Sequence, residues 1–112
     1  MTLGQRQRQF PPMVAKLIDF AYANGYALTF GEALRTQAQA DANAKSGAGI
    51  ANSLHLLRLA IDLNLFKDGL YLTKTSDHEP LGIYWESLGG AWGGRFSKPD
   101  GNHYSLEWQG VK

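Results

Sequence analysis

Apolar spacing, composition and end signals predict helices in three parts of the chain. The first part is residues 10–24, where Pro11 and Pro12 suit a helix start and Gly25 suits a stop. A second helix is predicted at residues 36–45, which are rich in Ala and Gln behind a Thr cap. A third is predicted at residues 79–88, before a pair of glycines. The pattern therefore predicts three helices.

Strict alternation of apolar and polar residues is clearest at residues 57–66. Leucines and Ile61 occupy one face there, whereas Asp62 occupies the other, so we expect a half-buried strand with Asp62 directed away from the core. Lys67-Asp68-Gly69 predicts a hairpin turn. The other predicted strands are 26–33, 70–74 and 104–108, and the predicted loops are 46–52 and 93–102. This order predicts an α+β fold, an antiparallel sheet with flanking helices.

Length and composition limit the functional classes. A chain of 112 residues with 44% hydrophobic residues fits one small domain, residues 1–112. The formal charge of +1, with no basic stripe, argues against nucleic acid as a partner. There is no cysteine, which excludes disulfides and thiolate metal sites. No apolar run approaches the roughly 18 residues of a membrane span, so we expect no membrane insertion, and a monomer is the default.

His55, Asp62 and His103 are of the residue types that hold a catalytic zinc. Two neutral imidazoles and one carboxylate leave the fourth corner of a tetrahedral site open for water, whereas structural sites are closed. Zinc lowers the pKa of such a water, which can then attack a carbonyl. Asp100, three residues before His103, is predicted to be the general base that accepts its proton. The pattern predicts a metallopeptidase.

The same residues form an ordered motif. Ser-x-His-x(6)-Asp at Ser53, His55 and Asp62, followed by Asp-x-x-His at Asp100 and His103, resembles the zinc D-Ala-D-Ala carboxypeptidases of peptidase family M15. That family includes phage L-alanyl-D-glutamate endopeptidases used as endolysins. The resemblance implies a hedgehog-like α+β fold, zinc held by the two histidines and Asp62, and peptidoglycan stem peptides as the substrate.

Further roles are implied by position in the motif, over about residues 30–108. The substrate-facing arginine of the family maps to Arg35, which is expected to bind a substrate carboxylate or the developing oxyanion. Ser53 also matches the family pattern. Trp92 and Tyr104, together with Trp108, are candidates to line the substrate cleft.

Two positions depart from the pattern of many family members. Arg58 stands where glycine is common, three residues after the first ligand, which leaves room for a different local backbone. Asp100 stands where many of the carboxypeptidases have Glu, and Asp is more similar to the phage endopeptidases. The resemblance therefore favours a phage or prophage endolysin. Because residues 1–8 lead into no signal-peptide core, we expect synthesis in the cytoplasm and action on the wall after release.

Each candidate residue also has an ordinary structural interpretation. Asp62 fits the polar face of a sheet, and Asp100 and His103 fit a turn. Arg35 fits a surface ion pair with Glu32. His78 is interpreted as a solvated helix cap and is excluded from the site. Two other functions stay open: a carboxypeptidase that removes terminal D-Ala, and a non-catalytic, metal-bearing module that binds the cell wall.

Overall fold

The computed structural model of the protein describes residues 1–34, 38 and 53–112. Apart from Ala38, the predicted helix at 36–45 and the predicted loop at 46–52 lie outside the described residues. The described elements, in chain order, are α1 (Leu3–Ala23), β1 (Tyr26–Phe30), the 3₁₀ helix η1 (Leu54–Leu57), β2 (Ala60–Lys67), β3 (Leu70–Leu72), α2 (Thr75–Ser87), β4 (Ala91–Trp92), the 3₁₀ helix η2 (Gly93–Arg95) and β5 (His103–Ser105).

Helix α1 begins earlier than the sequence predicts. The Thr2 hydroxyl accepts from the Gln5 backbone N–H and the Gln5 side chain accepts from the Thr2 N–H, which is a capping box. Long-range bonds then hold the first turns: Arg6 donates to the Glu107 carbonyl and Gln7 donates to the Leu57 carbonyl. Pro11 and Pro12 consequently lie inside the helix, on exposed positions, rather than at its start. The prediction of a start at residue 10 was wrong because it relied on the prolines and passed over the local Thr2–Gln5 motif, and because the other bonds come from distant residues.

Strand β2 is the centre of an antiparallel sheet in which β1, β2, β5 and β4 are neighbours in that order. The short strand β3 pairs with the far end of β2, after the turn predicted at Lys67-Asp68-Gly69. On the core side of β2, Leu63 and Leu65 have no exposed surface, whereas Asp62 and Asn64 on the other side are half-buried. The alternation predicted from the sequence is confirmed, and it sets which face of the sheet carries Asp62.

The core lies between the sheet and the two helices. Phe10, Leu17 and Ala21 of α1 meet Leu81 and Trp85 of α2 there, and all five are buried. The architecture is the α+β fold, helices against an antiparallel sheet, that the sequence predicts. No helix of the described residues combines the length and apolar character that a membrane span requires.

Helix α2 places a histidine inside the core. His78 has 3% of its surface exposed, and its Nδ1 lies 2.8 Å from the Tyr104 hydroxyl. Burial lowers the pKa of His78 and raises that of Tyr104, so both groups are neutral at pH 7 and share one buried hydrogen bond. The interpretation of His78 as a solvated cap was therefore wrong. The spacing of His78, Leu81, Gly82 and Trp85 places the histidine on the apolar face of α2.

Replacing Tyr104 with Phe should lower the free energy of unfolding by about 1–3 kcal/mol, because it leaves a buried imidazole nitrogen without its hydrogen-bond partner. Chemical denaturation followed by circular dichroism measures this. Tyr84→Phe is the matched control at a half-buried ring and should cost less. Equal losses for the two variants would contradict the importance of the His78–Tyr104 bond.

Candidate metal centre

The 3₁₀ helix η1 holds His55. The Ser53 hydroxyl caps this helix by accepting from the His55 backbone N–H at 3.2 Å, and Leu54 anchors it in the core with 1% of its surface exposed. Arg58 ends η1 in the left-handed conformation, at φ 59°. Glycine adopts that conformation without strain, whereas other residues rarely adopt it. Arg58 therefore has an unfavourable backbone conformation. The element is a helix rather than the start of the strand predicted at residue 57.

Strands β2 and β5 bring Asp62 and His103 together. The two residues are direct cross-strand partners in the antiparallel register. On the other side of β2, the Gly31 N–H donates to the Asp62 carbonyl and the Asp62 N–H donates to the Glu32 carbonyl. A Cβ at residue 31 would lie 3.1 Å from the Asp62 Cβ, so glycine there leaves room for the carboxylate-bearing strand. Asp62 is therefore fixed from both sides.

Three ligand-type atoms converge between these elements. Asp62 Oδ1 lies 3.3 Å from His55 Nε2 and 3.6 Å from His103 Nδ1. One ligand atom from each of the three side chains falls within 4.8 Å of the others. Atoms bound about 2.0–2.1 Å from a tetrahedral zinc are roughly 3.3–3.4 Å apart, which is close to the two distances from Asp62 Oδ1. The structure therefore brings together the three residues that the sequence predicts as ligands.

Burial and neighbouring groups shift the pKa values of Asp62 and His55 in opposite directions. Burial by itself raises the pKa of Asp62, but the imidazoles of His103 and His55 lower it to about 2. Burial lowers the pKa of His55, yet the hydrogen-bonding and charge effects of Asp62 outweigh it, so the net shift is upward. His55 Nδ1 lies 3.3 Å from the Ala33 carbonyl, an acceptor that fixes the ring orientation.

Buried polar atoms without hydrogen-bond partners bear on whether a metal ion fits the cluster. Among the described residues, Asp62 Oδ1 and His103 Nε2 have no hydrogen-bond partner. Asp62 Oδ1 is within ion-pair distance of His55 Nε2, but the ring N–H is not aligned on it. Leaving buried polar atoms unsatisfied is costly, and a cation within the cluster would satisfy the carboxylate oxygen. The donor set of two imidazoles and one carboxylate fits zinc with an open coordination position.

Asp100 lies beside the cluster but outside the group of three ligand-type residues. Its backbone is fixed, because the Asp100 N–H donates to the Gly93 carbonyl and its carbonyl accepts from the His103 N–H. A Cβ at residue 93 would lie 2.1 Å from the Asp100 carbonyl, so only glycine permits this approach. Partial burial of the carboxyl group raises the pKa of Asp100, although the residue is exposed as a whole, and the charge of Asp62 raises it further.

The remaining predicted site residues are placed differently. Arg35 lies outside the described residues, and its role stays a prediction. Trp92 has 3% of its surface exposed and donates from Nε1 to the Gly101 carbonyl, while Tyr104 has none exposed. The predicted contact of these two rings with substrate does not agree with their burial, because a ring enclosed by the core offers no surface to a cleft. Alternation along β5 places Tyr104 on the face opposite His103.

Phe96 is a site neighbour that the sequence interpretation missed. Its ring centroid lies 5.2 Å from that of His103. The residue follows η2, within a segment predicted only as a loop, and no local periodicity marks it.

Comparison with known proteins finds a matching family and similar solved structures. The family model for D-alanyl-D-alanine carboxypeptidase matches residues 46–106, a segment that contains His55, Asp62, Asp100 and His103. The crystal structure of the Serratia marcescens L-Ala D-Glu endopeptidase ChiX has a similar fold, with a TM-score of 0.70 and 20% identity. The match covers 93% of this chain and 85% of that one. No curated protein matches the chain significantly.

Metal affinity should fall as the pH is lowered, because protons compete with the metal for the imidazole lone pairs. The raised pKa of His55 means that this loss begins above the ordinary histidine value of about 6.5. Below the pKa of His55, metal affinity should fall about tenfold per pH unit for each proton that the metal displaces. Asp62 stays ionised throughout, since its pKa is about 2.

Zinc titration with a competing dye between pH 5 and 8 measures this dependence. His55→Gln should bind weakly at every pH. An affinity for the unaltered protein that stays constant across the range would contradict a site made of titratable imidazoles.

Proposed function

This chain belongs to the M15 family of peptidases, and from that premise we propose that it is a zinc-dependent hydrolase of peptide bonds in peptidoglycan stem peptides. The observation that carries the proposal is the convergence of His55, Asp62 and His103 within 4.8 Å, inside the segment that the family model matches. Asp100 on the adjoining loop adds a carboxylate that is separate from the ligand group.

The three ligands have complementary tasks. His55 and His103 would bind zinc as neutral imidazoles, and the Asp62 carboxylate offsets part of the ion's charge. When bound, zinc supplies a Lewis acid for the scissile carbonyl and lowers the pKa of water. The Ala33 carbonyl and the Ser53 cap support this arrangement by fixing the ring and the backbone of His55.

Asp100 is proposed as the general base and then the general acid. It accepts a proton from the attacking water and passes it to the leaving amine. A raised pKa suits both steps, because a carboxylate with an ordinary pKa would release the proton too readily to return it. Arg35 is proposed to bind a substrate carboxylate or the developing oxyanion through its forked guanidinium.

We further propose L-Ala–D-Glu endopeptidase specificity and a role as a phage or prophage endolysin. Support comes from Asp100 in the Asp-x-x-His element, where Asp resembles the phage endopeptidases. The second candidate is a D-Ala-D-Ala carboxypeptidase, which is favoured by the description of the family model that matches.

Incubating the purified protein with defined muropeptides distinguishes these activities by mass spectrometry. An endopeptidase should leave L-Ala on the muramic acid and release a peptide that begins with D-Glu. A carboxypeptidase should release free D-Ala. A chelator should abolish activity and zinc should restore it. Binding to sacculi with no soluble product would instead support a non-catalytic wall-binding module.

Replacing Asp100 with Asn should lower kcat by about 10²–10⁴-fold while one zinc per chain is retained, because Asp100 transfers protons but is not a ligand. Steady-state kinetics and elemental analysis measure the two quantities. Asp68→Asn, at an exposed position of the β2–β3 turn, is the matched control and should keep both. Loss of zinc from Asp100→Asn would make Asp100 a metal ligand instead.

A further inference from the structure

A cleft of about 210 Å³ is lined by Asp100 and by Asn64, which lies two residues along β2 from Asp62. Its walls come from β2, β3, the start of α2 and the loop before β5. Most of the lining side chains are polar, among them Asn64, Tyr71, Thr73, Thr75, Asp100 and Asn102. The proposed mechanism uses Asp100 alone of these six, so the rest of the cleft has no assigned task.

Asn64 projects from β2 on the same face as Asp62, two residues further along the strand. Its amide donates to the Thr29 hydroxyl at 3.2 Å, and its carbonyl oxygen accepts from the Tyr71 hydroxyl at 3.5 Å. A carboxamide has two N–H donors and two acceptor lone pairs. The bonds to Thr29 and Tyr71 use one N–H donor and one acceptor lone pair, and they fix the orientation of the carboxamide. One N–H donor and one acceptor lone pair remain available. A peptide unit presents the complementary pair, one C=O and one N–H.

Tyr71 extends this surface along β3. Its ring is 58% exposed and stacks on the Phe66 ring with centroids 5.1 Å apart. Phe66 and Tyr71 are cross-strand partners, which keeps the exposed ring in place. An aromatic face held in this way provides an apolar contact for a small side chain at low entropic cost.

The spacing of these groups matches that of an extended peptide. A strand rises about 3.3 Å per residue, so Asn64 lies about 6–7 Å beyond Asp62, and the Phe66–Tyr71 pair lies about 13 Å beyond it. An extended peptide substrate advances by nearly the same distance per residue. For a peptide that runs along β2 from the ligand cluster, Asn64 would lie level with a residue about two positions from the scissile bond, and Tyr71 with one about four positions away.

We propose that Asn64 and Tyr71 form a substrate subsite that binds an extended peptide through a backbone amide and a small apolar side chain, two to four residues from the cleaved bond. Thr29 is a positioning residue, because it holds the Asn64 amide by accepting its hydrogen bond. This subsite rests on the proposed peptidase function. It gives the enzyme a preference for long stem peptides over fragments that span only the cleaved bond.

The kinetic test compares a stem pentapeptide with dipeptides that contain only the cleaved bond. In Asn64→Ala and in Tyr71→Ala, the ratio of kcat/KM for the pentapeptide to that for the dipeptide should fall about tenfold, mainly through a higher pentapeptide KM. Thr29→Val should lower the ratio less, since the amide stays but loses its fixed orientation. Leu70→Ala is the matched control, because Leu70 is 67% exposed on β3 and does not line the cleft. Zinc content and circular dichroism identify any variant that fails to fold.

Binding measured without turnover separates the two proposals. Calorimetric titration of pentapeptide into Asp100→Asn, with and without the Asn64→Ala change, should show about tenfold weaker binding in the double variant. If the unaltered protein cleaves nothing but binding still depends on Asn64, the subsite stands and the hydrolase proposal fails. If it cleaves the pentapeptide and neither Asn64→Ala nor Tyr71→Ala changes the ratio or the affinity, the hydrolase stands and the subsite is overturned.

Discussion

The pairing of Asp62 with two imidazoles is the interaction on which the rest of the site depends. A carboxylate on the central strand of a sheet is costly unless opposite charge or a ligand compensates it. His103 reaches it through direct cross-strand register and His55 reaches it from η1. A one-residue slip of β5 or β2 would turn one of these groups to the opposite face of the sheet. The register of β2 with β5 is therefore both a structural and a functional constraint.

Rigid packing behind the sheet keeps that register. Tyr104, next to His103, is enclosed by the core and bonded to His78 of α2, and Trp85 of the same helix donates to the Ser105 carbonyl. Helix α2 thus holds β5 at two successive residues. A site built on strands that are fixed in this way positions its ligands more precisely than a site built on loops alone.

The proposed base comes from a loop whose position is also constrained. Gly93 allows the Asp100 carbonyl to approach more closely than any side chain would permit, and the Gly93 carbonyl accepts from the Asp100 N–H. The loop therefore presents the Asp100 carboxyl group between the ligand cluster and the polar cleft. The ligand cluster, Asp100 on its loop and the proposed peptide subsite at Asn64 and Tyr71 follow one another in that order. This order matches the task of a hydrolase that acts on an extended chain.

The α+β class, the alternation of β2 and the set His55, Asp62 and His103 could be predicted from the amino-acid sequence, because periodicity and motif spacing are local properties of the chain. The contacts of Glu107 and Leu57 with the first turns of α1, and the burial of Trp92, Tyr104 and His78, could not be predicted in this way. They join residues that are far apart in the chain, so they exist only in the folded protein. The same holds for the cleft, since Asn64, Tyr71 and Asp100 become neighbours only when β2, β3 and the loop before β5 pack together.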